Sequence, residues 1–266
     1  MEILGYLAAV LIGVSLGMVG SGGSILTVPV LVYLMSVNPM LATTSSLFIV
    51  GSTSLIGGLR AYGKKQVNFK AVTEFGIPSI FSIFIARHYI LPELPDRLFS
   101  IGNIQVYKPM FLMVVFAILM LAASLSMIFS NKRDALAASL QDNKYQALPL
   151  VLLGLGVGMI TGLLGAGGGF LIIPSLVIFL RLPMKTAVGT SLLIIAINSL
   201  FGFLFSLKQF QYDWSLLLSF SVLAIAGLFL GSKFAEKIPG NSLKKGFGWF
   251  VLVMGVYIIL KEVFRF

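Results

Sequence analysis

The stretch Gly162-Leu-Leu-Gly165-Ala166-Gly167-Gly168-Gly169-Phe-Leu-Ile-Ile-Pro174 is the second writing of a pattern that occurs earlier as Gly17-Met-Val-Gly20-Ser21-Gly22-Gly23-Ser24-Ile-Leu-Thr-Val-Pro29. Around these two knots, Gly17 to Phe69 aligns with Gly162 to Trp214 at a constant offset of 145 residues, without a gap and with 17 of 53 positions identical. The identities extend beyond the glycines to Pro29/Pro174, Ala42/Ala187, Ser46/Ser191, Ser54/Ser199, Gly57/Gly202 and Gln66/Gln211. Secondary transporters use such duplicated, glycine-interrupted apolar segments to place a binding site between two halves.

The apolar run around each knot is too long for one helix. About 17 apolar residues precede the knot (Ile3 to Val19; Leu148 to Leu164) and about 13 follow it (Ser24 to Ser36; Gly169 to Arg181). A continuous helix from 3 to 36 would be roughly 50 Å long, against a hydrocarbon core of about 30 Å. The chain is therefore expected to turn back at each knot. Each repeat then holds a glycine-broken helix pair plus three full spans, about eight transmembrane segments in all if each pair counts as one. The full spans come from further apolar stretches near 41–60, 70–90, 108–130, 186–206, 214–234 and 243–262.

Basic residues discriminate between the two topologies. If each knot lay inside a single unbroken span, the two sides of the membrane would collect 10 and 9 Lys plus Arg. If the chain turns back, they collect 13 and 6, with Arg87 counted among the six. The positive-inside rule favours the second arrangement, with the 60s loop in the cytoplasm and both termini outside. The expected fold is an all-α integral membrane protein of two inverted repeats, 1–130 and 147–266, joined by a polar cytoplasmic linker at 131–146. An additional segment, Ser100 to Lys108, interrupts the likeness of the halves.

Composition agrees with lipid as the solvent, since 58% of residues are hydrophobic and only 11% charged. The long apolar runs lack the dyad alternation of barrel strands, which leaves helices. A formal charge of +10 would suggest nucleic acid for a soluble protein; here the basic residues sit in short loops and set orientation, so no nucleic-acid partner is expected. With no cysteine, disulfides and thiolate metal sites are excluded. The first twenty residues lack a basic n-region and are expected to be retained. One histidine and a few interfacial carboxylates cannot assemble a catalytic triad, so neither an enzyme nor a cofactor is expected.

What remains is a binding site made of backbone and hydroxyls. Ser21, Gly22, Gly23 and Ser24 in the first knot, and Ala166, Gly167, Gly168 and Gly169 in the second, open a part-helix whose first N–H groups lack intrahelical partners. Such a helix end attracts anions. Small-residue helix packing is the other use of the same glycines. The occurrence of GxxGxGG twice, each time in a run too long for one span, favours the site. Ser46, Thr190, Ser191 and Asn198 add uncharged donors inside the spans, although serine and threonine also bond back to their own helix turn. Glu74 is placed as an interfacial carboxylate, His88 at a helix end, and Trp214 and Trp249 as interfacial anchors.

The second knot together with Ala187-Val-Gly189-Thr190-Ser191-Leu192 resembles the TauE/SafE sulfite exporter family, also called the toluene sulfonate uptake permeases, over nearly the whole chain. The first half departs from that pattern at Ser24 and at Ala42-Thr-Thr-Ser-Ser-Leu47. The resemblance implies a multi-pass permease of the bacterial inner membrane that moves a small sulfur-containing anion such as sulfite or an organosulfonate. An uncoupled anion channel of the same architecture is the alternative. The exact anion, the direction of transport, the coupling ion and any homo-oligomer are not legible in the sequence.

Overall fold

The computed structural model describes residues 2–20, 23–101, 104–129, 147–165, 167–180, 182–235 and 240–264. The linker at 131–146 and the candidate residues Ser21, Gly22 and Ala166 lie outside them. The chain is an all-α membrane protein, and among the described residues four helices are long and apolar enough to cross a bilayer.

Both repeats break where the glycines fall. In the first, α1 (Glu2–Val19) is followed across the knot by α2 (Ser24–Tyr33), then α3 (Pro39–Gly63) and α4 (Phe69–Ile85). A π turn at Ala86–Ile90 and a helical turn at Leu91–Glu93 continue α4. After a hairpin and α5 (Lys108–Phe129), the second repeat gives α6 (Ala147–Leu164), α7 (Gly169–Phe179), α8 (Met184–Ser206), α9 (Trp214–Ala235) and α10 (Gly240–Phe264). The segment that spoils the likeness of the halves is that hairpin, β1 (Arg97–Ile101) paired antiparallel with β2 (Ile104–Tyr107). It is a small β addition to the all-helical expectation.

Local sequence sets the helix starts. Pro39 opens α3 at a position where its missing N–H is no loss, and Asn38 caps it by accepting from the Met40 N–H at 3.0 Å. Asn68 and Asp213, one repeat apart, cap α4 and α9 by accepting from the Ala71 and Leu216 N–H groups.

The two halves are interleaved. Helix α1 packs on α9, α6 on α4, α3 on α8 and α5 on α10, each pair drawn from opposite halves. Glycines allow these contacts to form backbone to backbone. Gly13 faces Ala224 of α9, and its repeat partner Gly158 faces Ser79 of α4. Gly57 lies against Leu192 and Leu228, while its partner Gly202 lies against Leu47 and Ile83, the residues 145 positions earlier. Exchange of this kind is the signature of a pseudo-two-fold axis. Helices α3 and α8 run antiparallel, since Gly58 meets Leu193, Gly51 meets Leu200 and Gly202 meets Leu47. Large apolar side chains on the outer faces, among them Leu7, Leu11, Leu148, Leu152, Leu218 and Val222, are exposed.

Candidate functional site

The same exchange governs the knots. Gly20 stands against Val188 of α8, and its partner Gly165 stands against the backbone of Thr43 on α3. Each half thus closes the other half's knot. Gly167 is enclosed from both halves at once: an added Cβ would come within 3.0 Å of Ser199 Oγ, 3.1 Å of Val50 and 3.2 Å of Ile195. Val50 and Ile195 are repeat partners, so a point in contact with both lies on or near the axis relating the halves.

The second knot has three described glycines in the left-handed region. Gly165, Gly167 and Gly168 have φ of +72°, +67° and +68°, a region that side-chain-bearing residues rarely adopt. Gly168 is the N-cap of α7 and has no side-chain cap, so the first N–H groups of that helix rely on other acceptors. In the first knot Gly20 is at +79°, but Gly23 caps α2 in the ordinary right-handed region at φ −66°. Gly23 and Gly168, equals in the alignment, are therefore unlike in conformation. Ser24 and Gly169 begin their helices, both buried.

Around the second knot lies a set of buried hydroxyls. Ser46 falls between Thr43, at the level of Gly165, and Val50, at the level of Gly167, on one face of α3. Its Oγ is buried and has no hydrogen-bond partner, and the same holds for Ser54, Ser199 and Thr161. Asn198 donates from Nδ2 to Ser79 Oγ at 2.7 Å and leaves Oδ1 unpartnered. Buried polar atoms are almost always paired, so the unpaired hydroxyl oxygens of Ser199, beside Gly167, and Thr161, beside Gly168, are exceptional. The remaining candidates are already engaged. Ser191 donates back to the Val188 carbonyl at 2.8 Å, and Thr190 Oγ1 accepts the Asn68 N–H at 2.9 Å, tying the 60s loop to α8.

Glu74 pairs with Lys70 at 3.7 Å across one turn of α4, and His88 is exposed with its ring stacked on Phe84. Trp214 and Trp249 are exposed. One residue counted from sequence among the basic residues at a helix end is instead fully buried: Arg87, inside the π turn, whose Nη1 donates to Thr44 Oγ1 at 2.8 Å and to Ser206 Oγ at 3.5 Å. No periodicity signals this, because the π turn shifts the phase of the helix by about one residue. Nearby, Tyr212 donates to the Ser206 carbonyl at 2.8 Å. Burial pushes its phenol up to about 12, with the Arg87 charge opposing, so it stays a donor throughout the physiological range.

Comparison with known proteins points the same way. The family described as "Sulfite exporter TauE/SafE" matches residues 5–258. A "Probable membrane transporter protein" of Xylella fastidiosa (strain 9a5c) is 27% identical over 95% of this chain and 92% of its own. YunE of Bacillus subtilis (strain 168), also described as a probable membrane transporter protein, is 26% identical over 97% and 96%. A relative of the same description in Haemophilus influenzae is 26% identical over 97% and 98%. No solved structure gives a significant match. With its broken helix pairs, its interleaved halves and a family match from end to end, the chain belongs to the TauE/SafE family of membrane transporters.

Proposed function

We propose that this protein is a permease of the bacterial inner membrane that carries a small sulfur-containing oxyanion, of the sulfite or organosulfonate class, by alternating access between two inverted repeats. The observation that carries this reading is the second knot. Three glycines at positive φ bring the N-terminus of α7 to the axis between the halves, beside the unpartnered hydroxyls of Ser46 and Ser199. Backbone N–H groups and hydroxyls hold an oxyanion without fixing a countercharge, which suits a ligand that must also leave. The antiparallel run of α3 and α8 supports inversion of the repeats in the membrane.

The test is a panel of sulfite, sulfoacetate, taurine, thiosulfate and sulfate in proteoliposomes containing the full chain. Saturable flux of one or more sulfur oxyanions, with a reversal potential that moves with the proton or sodium gradient, is expected. A reversal potential that follows the anion gradient alone would make the protein a channel. Absence of flux and binding for every anion would remove the proposal.

A further inference from the structure

Arg87 is the largest fully buried side chain among the described residues, and it carries a positive charge. Among the described residues no carboxylate pairs with it. Its Nη1 is held by Thr44 and Ser206, whereas Nε and Nη2 are buried without a partner. Those two nitrogens form one edge of the guanidinium, the edge whose parallel N–H bonds match two oxygens of a single oxyanion. The other core-facing guanidinium behaves differently. Arg60 is partly exposed, donates to Ser232 Oγ at 2.5 Å and lies over the Phe229 ring.

Arg87 is itself fully buried, and its chain neighbour His88 borders a cavity. That cavity, of about 570 Å³, is also lined by Lys108, by Gln209 and by the acidic Asp96, and the Gln209 amide donates to the Arg87 carbonyl at 3.4 Å. The same end of the bundle holds the second knot, because Thr44, the partner of Arg87, adjoins Thr43, on which Gly165 packs. A buried ion without a counterion is strongly unfavourable in lipid, and intramembrane ions of this kind face pathways.

We infer that Arg87 is a second anion-binding residue of the permease, which grips the oxyanion through its Nε and Nη2 edge between the cavity at His88 and Gln209 and the knot at Gly165. This deepens the permease reading and rests on it. The expected ligand is an anion with at least two oxygens on one centre, such as sulfite, a sulfonate or a carboxylate, in preference to chloride.

The test uses the full chain in detergent and in proteoliposomes, with sodium sulfite and sulfoacetate as probes and chloride as control. Wild type should be stabilised against heat by the oxyanions and not by equal chloride. Arg87→Gln should lose that dependence, bind at least ten-fold more weakly, and melt no lower than the anion-free wild type, since an unbalanced buried charge has been removed. Arg87→Lys keeps the charge without the fork and should also bind at least ten-fold more weakly; it serves if the glutamine variant fails to fold. Unchanged affinity in either folded variant would make Arg87 structural and overturn the inference while leaving the permease intact. A wild type indifferent to every oxyanion in both binding and flux would overturn both.

Discussion

Gly168 and Gly23 show what a single position can and cannot reveal. In the alignment they are the same residue, but Gly168 sits at φ +68° with Thr161 and Val157 against the space of a Cβ, while Gly23 is right-handed and backs onto the Ile12 carbonyl. Gly168→Ala therefore combines left-handed strain with a side-chain collision, and a loss of about 1–3 kcal/mol is expected for the strain alone. A detergent melting temperature equal to wild type would contradict the bent conformation. Serines give the opposite sign. Ser46→Ala and Ser199→Ala each delete a buried hydroxyl that has no partner, so stability should hold or rise slightly. If these hydroxyls hold the anion, its affinity should fall about ten-fold, the equivalent of roughly 1.5 kcal/mol for a hydrogen bond to a charged group. Calorimetric titration with sulfite would decide, and unchanged affinity in both variants would take them out of the site. Composition could nominate Ser46; only the fold shows that Ser191, its repeat partner, is already bonded to its own helix.

At the scale of helices, glycine spacing does most of the work. Gly154, Gly158 and Gly162 recur every fourth residue on α6 and meet Phe75, Ser79 and Ala86 of α4 and its π turn. Gly156, on the same helix but exposed, would meet nothing within 4 Å. Gly158→Ala should thus push α4 and α6 apart and lower the melting temperature, whereas Gly156→Ala should be neutral or gain up to about 1 kcal/mol from helix propensity. Equal effects would mean the stripe does not set the interface. Most helices were legible beforehand, since apolar length and the two knots mark where α1, α2, α6 and α7 begin and end. The π turn was not. It inserts a phase shift that no composition announces, and with it the sequence signal for the burial of Arg87 disappears into what looks like an ordinary helix end carrying Arg-His. The hairpin was equally silent, because nine residues of mixed character fit a loop as well as two short strands.

For the molecule as a whole, the antiparallel pairing of α3 with α8 makes a directional prediction. Cysteines placed at Lys64 and Lys208, in equivalent loops of the two repeats just past the ends of these helices, should be labelled by an impermeant thiol reagent from opposite faces of the membrane. The native chain has no cysteine to confuse the result. Labelling from a single face would make the repeats parallel. The duplication itself was visible in the residue numbers, but its consequence for packing was not: the boundary at 131–146 divides the sequence without dividing the core. Each knot is walled by the opposite half, and α1 finds its main neighbour in α9, some two hundred residues downstream. This bears on how the protein is made. While the ribosome has delivered only the first half, Gly20 waits in the bilayer without Val188, and Gly13 without Ala224. Fragments 1–130 and 131–266 produced separately should accordingly be cleared by membrane proteases, and produced together should protect one another in a pulse-chase. Maturation of this transporter is then an appointment kept late, when the last helices arrive and both halves become complete at once.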